Sequence, residues 1–197
     1  MTPAQAMERA VVMTGIGGQG IQLVAKVLAE AGIREHRQVM MFGLFMGMIR
    51  GGSSDSTVVL ADAEIVSPPL VPDVWAVLAM HGEGVAKLAP KVRPGAVVVR
   101  NATMVPQPTG WDGVRDVAVP ATELAKTMGQ PLGASMVGLG ALATATGLVA
   151  LPSLADALAA VLPPHRQQHV AANRACLERG AAWVTEHGGA LAGAWAC

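Results

Sequence analysis

A three-layer α/β/α domain on a mostly parallel sheet is the fold class this sequence predicts, and three observations predict it. An apolar run, Ala10-Val11-Val12-Met13, leads straight into Gly15-Ile16-Gly17-Gly18-Gln19-Gly20, and that turn leads straight into a helical pattern from Ile21 to Ala31. Short β-branched runs then alternate with helical segments to about residue 120, the pattern of parallel strands covered on both faces. Beyond that point the sequence reads as helix almost throughout. A chain of 197 residues suffices for one domain with a full core. Residues 1–197 therefore read as a single unit, with a sheet region over 10–120 and a mainly helical part over 121–190.

Taken in order, Val11–Thr14 is a strand with no polar face. Ile21, Val24, Ala25, Leu28 and Ala31 recur at helical spacing, and Gly32 is the stop. Gln38–Phe42 is a second strand. Ser56–Ala61 is a β-branched third, and Ala63–Val66 extends it or pairs with it before Pro68-Pro69. Val74–Met80 is another apolar strand, Val85–Ala89 a short helix ended by Pro90, and Gly95–Val99 a further strand. Thr103–Trp111 is a loop rich in Pro and Thr, and Val114–Val119 is a last, weaker strand. Helices follow at Ala121–Met128, Ala134–Val149, Leu154–Leu162 and Gln167–His187. No internal repeat or low-complexity linker interrupts the series.

Formal net charge is zero, without a Lys or Arg run, and aromatic residues are 3%. Neither a nucleic-acid footprint nor a base-stacking platform is present. Charged residues are 14%, against roughly 25% in ordinary soluble domains. Apolar residues are 52%. Surface covered by a partner protein accounts for the shortage of charge; an Ala- and Gly-rich composition of genomic origin is the alternative. Within the longest uncharged stretch, Pro131 to Ser153 mixes Gly, Ala, Ser and Thr with Leu and Val, so it reads as a close-packed buried helix rather than a membrane span. Residues 1–9 carry Glu8 and Arg9 and lack the apolar core of a signal peptide. Two cysteines, Cys176 and Cys197, are too few for a disulfide framework, an iron–sulfur cluster or a structural zinc. A cytoplasmic protein is expected.

Ligands of open parallel sheets bind at the C-terminal ends of the strands. Four segments fall there: the glycine turn, the Met41–Met48 segment leading into Arg50-Gly51-Gly52-Ser53, His81, and Asn101. Gly15, Gly17 and Gly20 occupy the three glycine slots of the Rossmann-like dinucleotide fingerprint, while Gly18-Gln19 adds an amide that can donate and accept. The ribose-holding acid of that fingerprint is missing, because no Asp or Glu stands between Glu35 and Asp55. NAD binding is thereby disfavoured, though a stand-alone dinucleotide-binding module remains an alternative, as does a ligand-free turn. Arg50-Gly51-Gly52-Ser53 joins a guanidinium to flexible backbone and a hydroxyl, a phosphate contact or else a solvated turn. Met41–Met48, with two glycines among large apolar residues, reads as a loop and contact surface, with strand and core as the alternative. His81 and Asn101 are candidate ligand contacts. His165 and His169 are four apart and could share a helix face, but no third ligand accompanies them, so no metal site is expected. Walker lysine, serine elbow, Cys–His pair, acid pair and thiamine-type Gly-Asp-Gly are all missing. No catalytic residue is expected on this chain.

The glycine turn, Ala25-Lys26-Val27-Leu28-Ala29, Arg50-Gly51-Gly52-Ser53, Ile65-Val66-Ser67-Pro68, Val119-Pro120-Ala121-Thr122-Glu123-Leu124-Ala125, Gly138-Leu139-Gly140-Ala141-Leu142 and Asn173 with Ala175, in that order, resemble the gamma subunit or domain of 2-oxoacid:ferredoxin oxidoreductases. The likeness runs from about residue 10 to 180. It implies membership of an assembly that oxidatively decarboxylates a 2-oxoacid to an acyl-CoA and passes electrons to ferredoxin. It also implies that thiamine diphosphate and the iron–sulfur clusters lie on alpha and beta partner subunits, with a ferredoxin-like delta subunit as a further candidate. The gamma piece then packs on the catalytic core and helps hold coenzyme A. When isolated, a homodimer is an alternative to the heteromeric assembly. Relatives often carry an acid shortly before the Arg-Gly-Gly, where this chain has Met48-Ile49, and an Asn before the small-residue helix, where it has Ser135.

Overall fold

The computed structural model describes residues 7–45, 53–68, 71–188 and 194–195. In chain order it forms β1 (Glu8–Ile16), α1 (Ile21–Arg34), β2 (Gln38–Phe45), β3 (Ser53–Ala61), β4 (Val74–Ala79), the four-residue α2 (Val85–Leu88), β5 (Val92–Asn101), β6 (Arg115–Val119), α3 (Ala121–Thr127), α4 (Ala134–Thr146), α5 (Leu151–Val161) and α6 (Val170–Glu186). The six strands lie in the order β2-β3-β1-β4-β5-β6. β1, β4, β5 and β6 pair in parallel, and β3 runs antiparallel to both β1 and β2. Five strands therefore share one direction and β3 alone is reversed.

Alternation along the strands decides which layer each side chain enters. Val11 and Met13 of β1, Val58 and Leu60 of β3, Leu78 of β4 and Val97 and Val99 of β5 join the large core beneath α1 and α4. Val12, Val77, Ala79 and Val98 face the other way, where Val85 and Leu88 of α2 and Trp111 cover them in a thin third layer. α4 is buried on nearly every side, as a helix apolar all round must be. It reaches that state because α6 lies directly on it. A Cβ on Gly140 would run into the Leu177 carbonyl, and one on Gly180 into the Val137 carbonyl. The reciprocal glycines let the two backbones touch. Among the described residues no helix is long and apolar enough to cross a membrane.

Several boundaries differ from the sequence expectation. Ala63–Val66 makes no strand; Glu8 Oε1 accepts the N–H groups of Val66 at 2.7 Å and Ser67 at 3.2 Å, which removes them from any ladder. Met41–Phe45 belongs to β2 rather than to a loop, while Met46–Met48 lie outside the described residues. Gly43 fits there because a Cβ would stand 2.7 Å from Gln22 Oε1, so the glycine makes room for a side chain of α1. α4 stops at Thr146, because Gly147 turns left-handed at φ 63°. α5 begins three residues early, and Glu35 Oε1 accepts the Ala150 N–H at 2.7 Å just before its first turn. Residues 164–169 are a tight 3₁₀ turn and α6 starts at Val170.

Candidate functional site

The glycine turn joins β1 to α1 at the C-terminal rim of the sheet. Gly18 (φ 91°) and Gly20 (φ 77°) take conformations that favour glycine. Gln19 closes the turn on itself: its N–H donates to Ile16 O at 3.2 Å, and its Oε1 accepts the Ile16 N–H at 2.9 Å. Its Nε2 donates at 3.4 Å to Met80 O, the residue just after the neighbouring β4. The mid-turn amide thus both accepts and donates, but to the chain itself. No side chain caps α1 and no acid stands in its first turn, so the N–H groups of Ile21 and Gln22, ahead of the Leu23 and Val24 bonds to Gly20 O, have no side-chain acceptor and carry the positive end of the helix. Nothing lies within 4 Å of where a Gly18 Cβ would project.

A second helix end closes on this one. Ser135, 3% exposed in the first turn of α4, puts its Oγ 3.1 Å from the Cβ position of Gly20. α4 has no side-chain cap either. Beside the first turn of α1 opens a cavity of about 460 Å³, touched by Leu23, Gln130, Leu132, Leu162 and Arg166.

The reversed β3 delivers the other wall. Its start is registered on the end of β1, with Ser53 opposite Ile16, Ser54 opposite Gly15 and Asp55 opposite Thr14. Thr14 Oγ1 donates to Asp55 Oδ1 at 2.6 Å and Ser53 Oγ donates to Asp55 Oδ2 at 3.3 Å. Gln22 Nε2 donates to Asp55 O at 3.2 Å. Gly84 packs on Thr14 so closely that any Cβ would collide with the hydroxyl. Arg50, Gly51 and Gly52 lie outside the described residues. Ser53, the next residue, is beside the glycine turn.

His81 and Asn101 reach the same rim with their side chains engaged. His81 Nδ1 accepts the Glu83 N–H at 3.3 Å and caps a 3₁₀ turn. Asn101, 1% exposed, donates to Thr122 Oγ1 at 2.8 Å and Met80 O at 3.5 Å and accepts the Thr122 N–H at 3.2 Å. It ties β5 to the start of α3. Glu35 is held at Ala150, far from a ribose-holding role. Asp55 is the acid nearest the glycine turn, and two hydroxyls hold it. Burial pushes the Cys176 thiol up. Among the described residues, no three His, Cys, Asp or Glu side chains converge as a metal site.

Thr14, Asp55 and Gly84 were not among the sequence candidates. They meet through the β1–β3 register and the turn after β4, which sequence distance hides. One signal was available: Ser53-Ser54-Asp55 is a polar start to an otherwise apolar strand. The rim offers backbone donors and a small hydroxyl, with the cavity at Leu23 to one side; nothing described is arranged as a nucleophile with its base.

A family model described as pyruvate ferredoxin/flavodoxin oxidoreductase matches residues 10–183. The chain is 30% identical over 180 residues to the ketoisovalerate oxidoreductase subunit VorA of Methanothermobacter thermautotrophicus, covering 90% of this chain and 36% of that one. It is 31% identical over 137 residues to the 2-oxoglutarate synthase subunit KorC of Archaeoglobus fulgidus, covering 69% and 70%. It thus spans about a third of the first relative and most of the second. The gamma subunit of a keto/oxoacid ferredoxin oxidoreductase from Geobacter sulfurreducens superposes with a TM-score of 0.74 at 23% identity, over 88% of this chain and 94% of that one. The 2-oxoglutarate:ferredoxin oxidoreductase from Magnetococcus marinus, with 2-oxoglutarate, coenzyme A and succinyl-CoA bound, superposes with a TM-score of 0.81 at 22% identity, over 91% and 31%. At such identities the shared property is the fold.

Proposed function

This chain belongs to the pyruvate ferredoxin/flavodoxin oxidoreductase family, and from that membership we propose that it is the gamma-type piece of a 2-oxoacid:ferredoxin oxidoreductase, holding the anionic part of coenzyme A while alpha and beta subunits carry out the decarboxylation. The observation that supports this reading is the glycine turn: two helix starts without side-chain caps, the Ser135 hydroxyl and the polar start of β3 come together at one rim. Backbone N–H groups at a helix start suit a phosphate, and coenzyme A bears several. Arg50, three residues before Ser53, would supply the guanidinium.

The donor set argues against this chain holding the other groups of such an assembly. Its two cysteines cannot supply the roughly four thiolates of an iron–sulfur cluster, and it lacks the Gly-Asp-Gly of a thiamine diphosphate site. Both groups are placed on partner subunits in this reading. A dinucleotide site is disfavoured by Glu35, which is committed to α5, and by Asp55, whose carboxylate both hydroxyls hold.

Arg50→Ala in the assembled enzyme tests the proposal. Loss of one charge-assisted contact, about 1.5–3 kcal/mol, should raise the KM for coenzyme A roughly ten- to hundredfold. Coenzyme A-independent decarboxylation, followed with an artificial acceptor, should be unchanged. Equal loss of both would point to a ligand-free scaffold.

A further inference from the structure

The sheet has two edges, and the chain treats them differently. At the β6 edge, Trp183 Nε1 donates to Ala118 O at 3.1 Å and Arg115 Nη2 donates to Gly188 O at 3.3 Å. α6 and the turn after it therefore lie along that strand and blunt it. At the β2 edge, no described residue takes up the outward-facing N–H and C=O groups. β2 is also the strand least protected by its own sequence. Its eight residues, Gln-Val-Met-Met-Phe-Gly-Leu-Phe, include no charge and no proline, the two devices that usually keep an edge from pairing. Phe42 is 37% exposed, and Ile33, near the end of the helix that packs over β2, is 56% exposed.

We propose that β2 pairs antiparallel with β2 of a second copy of this chain across a twofold axis, fusing two sheets into one. A strand paired antiparallel with itself is self-complementary, since each copy presents the same row of donors and acceptors to the other. Neutrality favours that occupant in particular, because identical copies of a charged edge would repel. The footprint suits a weak dimer. Eight residues at about 3.4 Å span about 27 Å, and the sheet with its α1 layer adds about 20 Å of depth, giving on the order of 550 Å² per copy. Standard interfaces begin near 600 Å² per partner, so a micromolar dimer is the expected strength.

Sedimentation equilibrium of the full chain, up to about 100 µM, should show a dimer with a Kd in the micromolar range. Phe42→Lys, which sets like charges across the axis, should weaken it at least about tenfold. In a Cys197→Ser background, Met40→Cys or Phe42→Cys should cross-link between copies on oxidation, while Ala118→Cys on the other edge should not. Hydrogen exchange of the β2 amides, slowed as concentration rises, gives a reading on the unmodified chain. A chain that stays monomeric throughout overturns the proposal, as does a dimer indifferent to Phe42→Lys and not cross-linked through β2. Protection of β2 that requires an added alpha or beta subunit also overturns it and assigns the edge to a strand of another polypeptide.

Discussion

Gln19→Glu separates the shape of the glycine turn from its electrostatics. Glutamate has the same size, and its carboxylate can accept the Ile16 N–H that Gln19 Oε1 accepts at 2.9 Å. What is lost is the donation to Met80 O, which at 3.4 Å is long, and a carboxylate oxygen then faces that carbonyl, so stability should fall by about 1–2 kcal/mol. The Ile16 contact keeps the turn closed, and the new charge is the main change at its open face. A phosphate bound to the turn's N–H groups would sit about 6 Å from that carboxylate, where two unit charges repel by about 0.7 kcal/mol in water-like surroundings and about 2.8 kcal/mol at a protein surface of ε near 20. Coenzyme A affinity should then fall between about threefold and hundredfold, with the loss shrinking as salt is raised. Calorimetric titration of the assembled enzyme at low and high salt, with a melting curve of each variant, measures both quantities. Unchanged affinity at low salt would refute the idea that this turn faces an anion.

Three further outcomes test the scaffold behind the site. Gly180→Ala drives a methyl into the Val137 carbonyl, so overpacking of about 1–3 kcal/mol should exceed the gain of about 1 kcal/mol in helix propensity and lower Tm; a raised Tm would contradict the close α4–α6 contact. Arg100 is 7% exposed, pairs with Asp116 Oδ1 at 2.6 Å and donates to Val105 O at 2.7 Å and Pro106 O at 3.1 Å. Arg100→Met leaves that carboxylate with only the Thr109 donors and should lower unfolding free energy by about 3 kcal/mol in urea titrations, with faster proteolysis of the loop after β5. At Glu8, burial acts to raise the carboxyl, but hydrogen bonds from the Ser67 side chain and the Val66 and Ser67 N–H groups outweigh it and hold the group below its ordinary 4.5. Its stabilisation is therefore complete above pH 4.5 and fades as pH falls through the lowered value. Glu8→Gln should be less stable than the parent at neutral pH, and the gap should close in acid; a gap constant with pH would exclude the ionised carboxylate as its source.

The strand–turn–helix unit was legible because its signals are local. Val11 to Ala31 contains the apolar run, the glycines and the helical spacing, and the fold keeps all three. The buried small-residue helix was legible from composition, since Gly138, Gly140 and Ala141 suit close packing better than lipid. The pairing of Thr14 with Asp55 was not, because it depends on β3 running backwards, and nothing within residues 53–61 encodes direction. Gly43 misled for a physical reason: its missing side chain answers to Gln22 on another element rather than to a turn. Asn101 and His81 stand at the strand ends where the sequence puts them, but spacing cannot reveal that Thr122, Met80 and Glu83 engage them. Arg50, Gly51 and Gly52 lie outside the described residues.

Arg9 Nε donates to Ala194 O at 2.8 Å, and Arg37 stacks on Trp195 at 3.9 Å. The first residues of β1 and the Ala194-Trp195 pair thus meet at the blunt end of the strands. Nine residues of β1 at about 3.3 Å each separate that end from the glycine turn by about 30 Å. A tether, dye or sensor surface attached there would leave the opposite rim free to meet its ligand, and would report on that encounter without taking part in it.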